Sequence, residues 1–168
     1  DIKRLGTGKG SQKGKKRDLA LIVSEVPATV AGMFTTNQVC AAPVKVCVER
    51  VKRGRAQAIV VNSGNANACT GRQGIAAARK TAALVAHRLG SPVHEVFIGS
   101  TGVIGRALPV DRIVKALPAL FDQLSSRGGA QAARAILTTD LKPKSVVRHT
   151  LINGRTVTIG GMAKGSGM

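Results

Sequence analysis

Two short apolar runs, Ala58–Asn62 (AIVVN) and Val96–Gly99, flank one long amphipathic stretch, and that order constrains the fold more than any other part of the chain. In Arg72–Leu89 the residues Ile75, Ala78, Ala82, Val85 and Leu89 recur at spacings of three and four, which puts them on one helical face. Gly90 stops that helix. The flanking runs are too short for helices and read as buried strands. A second amphipathic stretch, Val110–Leu124, places Ile113, Leu117, Leu120 and Leu124 on one face, and Pro118 inside it predicts a kink or a break. The chain therefore reads strand–helix–strand–helix at its centre.

The flanks complete the pattern. Leu19–Val26 is expected as a strand ended by Pro27, and Thr29–Thr35 as a second strand. Val44–Val51 fits a strand or a helix equally. Ser125–Gly129 reads as a loop and Ala130–Leu137 as a short helix. Ser145–Ile152 and Arg155–Gly160 flank Asn153-Gly154, the strongest hairpin signal in the sequence. Residues 19–168 are thus expected to form a single α/β domain, a layered sandwich with a mixed sheet. Residues 1–18 are polar, basic and glycine-containing, and read as a mobile arm.

Composition sets limits on function. The 168 residues suit one domain, and with three Phe and no Tyr or Trp the core must be built from Val, Ile, Leu and Ala. No apolar run approaches the roughly 18 residues that a membrane span needs. The net charge of +18 invites a nucleic-acid reading, but seven of the 26 basic residues fall at Lys3, Arg4, Lys9, Lys13, Lys15, Lys16 and Arg17. Stacking aromatics are nearly absent, so a solvated arm outweighs nucleic acid as a partner. A third reading makes this chain the basic half of a complex whose other half is acidic. Cys40, Cys47 and Cys69 lack metal or disulfide spacing and read as small hydrophobes in a reducing compartment.

Four polar segments, most of them glycine-containing, are candidates for chemistry: Asn62–Gly71, Ser100–Gly105, Thr138–Lys144 and Gly160–Met168. They offer hydroxyls, amides and backbone N–H groups, with Lys164 as a cation in the last of them. Thr101 and Gly102 could donate together to an oxyanion, or STGVIG could be an ordinary strand-to-helix turn. Lys164 could hold a carboxylate or be solvated. Thr138 and Thr139 could cap a turn, and the Asn-rich segment could bind a ligand or satisfy its own backbone. His87, His94 and His149 stand near no serine or cysteine motif, and no nucleophile–base pair is visible. A glycine-rich loop such as Gly160–Met168 normally leads into another element, so the chain is expected to be a fragment or one product of a cut precursor.

Five segments resemble, in order, the α subunit of the ornithine acetyltransferases, the glutamate N-acetyltransferases of arginine biosynthesis. They are GMFTTNQVCAAPV (Gly32–Val44), VVNSGNANACTG (Val60–Gly71), STGVIGRALPVD (Ser100–Asp111), AILTTDLKPK (Ala135–Lys144) and GGMAKGSGM (Gly160–Met168). The resemblance runs from about Leu19 to the last residue. It implies an αββα fold like that of N-terminal-nucleophile enzymes, and a precursor that cuts itself between an alanine and a threonine. The new N-terminal threonine of the β chain is then the nucleophile, moving acetyl from N-acetylornithine to glutamate by ping-pong transfer. No metal or cofactor is implied, though acetyl-CoA serves as a further acetyl donor in bifunctional members. By motif, Thr101 and Gly102 match the oxyanion-hole pair, and Thr138 and Lys164 match substrate-binding positions. An (αβ)2 heterotetramer is implied, in the cytoplasm of a prokaryote or the mitochondrial matrix of a fungus. Two rivals remain at this point: a self-processing aminopeptidase or amidohydrolase of related fold, and a basic nucleic-acid-binding module.

Overall fold

Leu19–Thr29 (β2) and Arg55–Asn65 (β3) run antiparallel, with Leu19 opposite Asn62 and Val23 opposite Ala58. Val96–Val103 (β4) lies parallel to β3, with Ala58 opposite Val96 and Asn62 opposite Ser100. Arg4–Gly8 (β1) adds an antiparallel edge to β2. The resulting sheet is mixed and has the order β1-β2-β3-β4. This computed structural model describes residues 4–8 and 17–167. Of the basic segment read as an arm, Arg4–Gly8 is this edge strand, while residues 1–3 and 9–16 lie outside the described residues.

The parallel β3–β4 pair needs a crossover, and the helix Gly71–Leu89 (α2) supplies it. On the face the sequence predicts, Ala78, Ala82 and Val85 have no exposed surface, and Ile75 and Leu89 pack partly buried against the same core. Gly90 ends α2 in the left-handed conformation at φ 67°. The small alanines let α2 lie close on the sheet, where Leu19, Leu21, Val23, Val60, Val96 and Ile98 meet it. Val46 of Ala42–Val51 (α1) and Ile113, Leu117 and Leu120 of Val110–Asp122 (α3) complete this core. Burying a leucine or valine fully contributes about 1.5–3 kcal/mol, so Leu21, Leu120, Val46, Val60, Val85 and Val96 carry much of the stability. On the other sheet face Ala20 packs with Ala132, Ala135, Ile136 and Leu137, placed by the short helix Gly129–Ala135 (α4).

A two-stranded hairpin, Lys144–Ile152 (β5) and Arg155–Ala163 (β6), completes the chain around the Asn153-Gly154 turn. Asn153 and Gly154 both have positive φ, which the favoured two-residue hairpin turn demands. Every residue of β5 is exposed, and so is all of β6 except Met162. The mixed sheet and its helices match the layered α/β expectation.

Several local expectations change. Thr29–Thr35 is not a strand: only Thr29 pairs, as the last residue of β2, and residues 30–37 have no regular structure. Met33 is fully exposed and Phe34 partly so, so the segment has no apolar face to bury against a neighbour. Pro27 does not end β2. The register shifts between Val23 and Ala28 and absorbs the missing N–H there. Val44–Val51 resolves to helix α1, with Pro43 in the first turn, where its lost N–H costs nothing. Pro118 does not break α3, because it lies on the exposed side while Ile113, Leu117 and Leu120 hold the buried face.

Candidate functional site

The C-terminal ends of β3 and β4 meet at Gly64 and Gly102, and only glycine fits at the second position. Gly102 has φ 137°, and a Cβ there would stand 2.2 Å from the Gly64 carbonyl carbon and 2.6 Å from the Asn65 nitrogen. This contact holds β4 extended through Thr101 and Gly102, so the STGVIG motif is strand first and turn afterwards. The turn is buttressed by the Asn-rich segment. Asn65 Nδ2 donates to the carbonyls of Arg106 at 3.2 Å and Ala107 at 3.1 Å. Ala66 N–H donates to Val103 O at 3.0 Å, and Gly105 N–H to Ala68 O at 2.9 Å.

Asn67 is fully buried with φ 48°. It donates through Nδ2 to Gly74 O at 2.9 Å and accepts at Oδ1 from the Thr70 hydroxyl at 2.8 Å. Of the two readings open for this segment, the observed bonds are those of self-satisfaction: its amides brace the backbone around them and the loop beside them.

Lys164 joins the motifs. Its Nζ lies 2.7 Å from Thr101 Oγ1 and 2.7 Å from Thr138 Oγ1. The three residues come from the end of β4, the segment after α4 and the segment after β6. Three of the four residues singled out in the sequence thus make one hydrogen-bonded cluster, and Gly102 directly follows Thr101. The chemistry of the contact is directional. An ammonium only donates, so both threonine oxygens accept from Lys164, and Thr101 keeps its own O–H for another acceptor. Thr101 is thereby left as a donor polarised by a cation, beside the backbone N–H of Gly102. Such a pair suits a carbonyl oxygen that gains negative charge.

A residue that motif reading passed over organises the surroundings. The Asp140 carboxylate accepts from Lys144 Nζ at 2.7 Å, Gly165 N–H at 2.6 Å and Thr138 N–H at 3.4 Å. These hydrogen bonds, the one from Lys144 first, hold the Asp140 carboxyl well below the usual carboxylate range. Lys144 Nζ also donates to Gly165 O, and the hydroxyls of Thr139 and Ser166 lie 2.8 Å apart. The signal in the sequence was the scarcity of acids: one of only eight stands in the TTD loop, four residues before a lysine.

A cavity of about 450 Å3 lies at the end of β3, lined by Asp18, Asn62, Ser63, Asn65, Arg106 and Arg112 among others. Neither Lys164 nor its two threonines line it, so the hydrogen-bonded cluster and not this cavity marks the candidate site. None of the cysteines takes part. Cys47 is buried, with its Sγ at 3.3 Å from Ile98 O, Cys40 is half-buried, and Cys69, contrary to its reading as a small core residue, is exposed. Among the described residues, no three His, Cys, Asp or Glu side chains are grouped to hold a metal ion. No helix among them is long and apolar enough to cross a membrane.

A family model, that of the ArgJ family, matches residues 4–168. The chain belongs to this family. An ArgJ relative from Thermosynechococcus vestitus, described as an arginine biosynthesis bifunctional protein, is 55% identical over 152 residues, covering 90% of this chain and 36% of the relative. One from Symbiobacterium thermophilum, with the same description, is 52% identical over 160 residues, covering 95% of this chain and 40% of the relative. The chain thus spans well under half the length of these curated relatives. Among solved structures, ArgJ from Bacillus halodurans superimposes with a TM-score of 0.93 at 42% identity, covering all of this chain and 88% of that one. The ornithine acetyltransferase of Mycobacterium tuberculosis, solved with ornithine, gives 0.92 at 40% identity, covering 98% of this chain and 89% of that one. Both likenesses agree with the mixed-sheet α/β fold.

Proposed function

We propose that this ArgJ-family chain is the α part of an acetyltransferase that moves acetyl from N-acetylornithine to glutamate in arginine biosynthesis. The observation that carries the reading is the Lys164 bridge between Thr101 and Thr138, which brings three motif residues together across separate segments. The nucleophile is the N-terminal threonine of a β chain from the same precursor. Its hydroxyl attacks the acetyl carbonyl of N-acetylornithine while its own α-amine takes the proton. The oxyanion so formed is held by Thr101 O–H and Gly102 N–H. Collapse of the intermediate expels the amine of ornithine, which takes that proton, and leaves acetyl-threonine. The amine of glutamate then attacks in the second half of a ping-pong cycle.

Lys164 and Thr138 bind a substrate carboxylate in this reading, through the N–H of the ammonium that neither threonine uses and the hydroxyl that Lys164 orients. The description of the relatives as bifunctional supports acetyl-CoA as a second acetyl donor. No metal or cofactor enters the cycle. The exposed hairpin, with Val146, Val147, Leu151 and Ile152 open on β5, supports a covering partner, because a two-stranded ribbon is only marginally stable alone. An (αβ)2 assembly fits that need, and the cytoplasm of a prokaryote fits the bacterial relatives. The test is acetyl transfer by the assembled enzyme. Thr101→Ala should lower kcat by roughly a hundred- to a thousandfold, the usual loss for one oxyanion donor. Unchanged transfer would remove Thr101 from the oxyanion hole.

A further inference from the structure

We infer that Asp140 is a positioning residue, whose carboxylate locks the segment carrying Lys164 against the segment carrying Thr138. Gly165, which donates its N–H to Asp140 Oδ1 at 2.6 Å, directly follows Lys164. Thr138, which donates its N–H to Asp140 Oδ2 at 3.4 Å, is the residue whose hydroxyl Lys164 holds at 2.7 Å. One carboxylate therefore holds Thr138 through its own N–H and Lys164 through the N–H of the residue that follows it. The contact closes a ring: Asp140 to Gly165, Lys164 to Thr138, and Thr138 back to Asp140.

This is more than a surface ion pair. An exposed pair four residues apart, such as Asp140–Lys144 read alone, usually contributes little. Here the Asp140 side chain has no exposed surface, while that of Lys144 remains 47% exposed. Lys144 balances the charge, and the two backbone N–H groups set the register of the loops. Both carboxylate oxygens are used as acceptors. An asparagine offers only one, and its amide group would turn two donors toward Lys144 or toward the Thr138 N–H. A glutamate keeps the charge but moves the carboxylate outward by one methylene. Aligning reactive groups to a fraction of an ångström is where such supports act, since a shift of about 1 Å can cost roughly a hundredfold in rate.

The experiment uses the assembled enzyme carrying wild-type Asp140, Asp140→Asn, Asp140→Glu or Lys144→Met. It reads reductive methylation of Lys164 by peptide mass spectrometry, with exposed Lys115 as internal reference, beside acetyl transfer and thermal melting. Lys164 should label at least about fivefold faster in Asp140→Asn, with Lys115 unchanged and transfer down by roughly ten- to a hundredfold. Lys144→Met, which keeps both backbone contacts to Asp140 but loses its own donation to Gly165 O, should raise Lys164 labelling clearly less than Asp140→Asn does. If Asp140→Asn fails to assemble, Asp140→Glu carries the same expectation of faster Lys164 labelling. Unchanged Lys164 labelling in the acidic-site variant that assembles would overturn the inference. So would an equal rise in Lys144→Met, because the ion pair alone would then account for it. The transfer arm rests on the acetyltransferase reading and the labelling arm does not. A wild-type enzyme that fails to transfer acetyl yet shows the labelling contrast would sink that reading and leave the positioning role of Asp140 standing.

Discussion

Ser63 donates its hydroxyl to the carbonyl of Ala135 at 2.8 Å, across 72 residues of sequence. The bond ties the end of β3 to the end of α4, three residues before Thr138. Thr101 stands opposite Ser63 in the neighbouring strand. The same strand end therefore braces both threonines that Lys164 joins.

Removing that brace should cost stability. Ser63→Ala leaves the Ala135 carbonyl without this donor in a place where both residues are buried. An unsatisfied buried acceptor costs about 1–3 kcal/mol. Urea unfolding of the α chain should report a midpoint shift of that size with an unchanged slope, and no shift would mean that water replaces the hydroxyl.

Gly102 should tolerate no side chain. Gly102→Ala combines a positive φ with a Cβ driven into Gly64 and Asn65. Backbone strain alone accounts for about 1–3 kcal/mol, and the collision also pushes the β4 end away from β3. Acetyl transfer should fall at least as far as in Thr101→Ala, with a lowered melting temperature. A variant of wild-type stability and activity would contradict the close approach of the two strands.

The Asp140 contacts should survive mild acid. The folded-state pKa lies below the ordinary value of 3.8, so the unfolded chain takes up the proton first as pH falls. Their stabilisation is then fully present above about pH 5 and is lost only as pH drops below about 4 toward the lowered value. The difference in melting temperature between wild type and Asp140→Asn should stay constant from about pH 7 to 5 and shrink below 4. A difference that shrinks already between 7 and 5 would assign the effect to another group.

Thiol chemistry should follow exposure. Cys69 is exposed and Cys40 half-buried. Burial pushes the Cys47 thiol up from its ordinary value, which further suppresses its thiolate. Iodoacetamide should therefore label Cys69 first, then Cys40, and reach Cys47 only on unfolding. Early Cys47 labelling in the native chain would show that α1 opens.

The sequence was most legible where periodicity was long or turn chemistry strict. The α2 face from Ile75 to Leu89, the α3 face and the Asn153-Gly154 turn all lie where their residues demanded. It was least legible where pairing depends on a distant partner. Arg4–Gly8 carries two glycines and two polar or charged side chains, and only its register against Leu19–Val23 makes it a strand. Thr29–Thr35 has strand-forming residues but no strand beside it, and so remains irregular past Thr29. Val44–Val51 alternates like a strand, and the first-turn Pro43 with burial of Val46, Cys47 and Arg50 decides for a helix. At the candidate site, the motifs exposed the side chains that face one another. Asp140 was missed although its i,i+4 spacing to Lys144 was visible, because its contacts to the Gly165 and Thr138 N–H groups leave no mark in a pattern of residue types.

The hairpin gives the site its least guarded side. Lys144 opens β5 opposite Ala163, and Lys164 follows immediately, so the ribbon is anchored at the end where the ammonium sits. Nine residues of strand carry its tip about 30 Å away with almost no packing beneath it. Mechanically it is a cantilever whose fixed end carries the candidate site. A load at Asn153 or Gly154, from a neighbouring chain or from crowding, is borne by the Asp140 and Lys164 contacts at the root. Whatever settles on the ribbon must leave that root unbent, or Lys164 is levered away from Thr101.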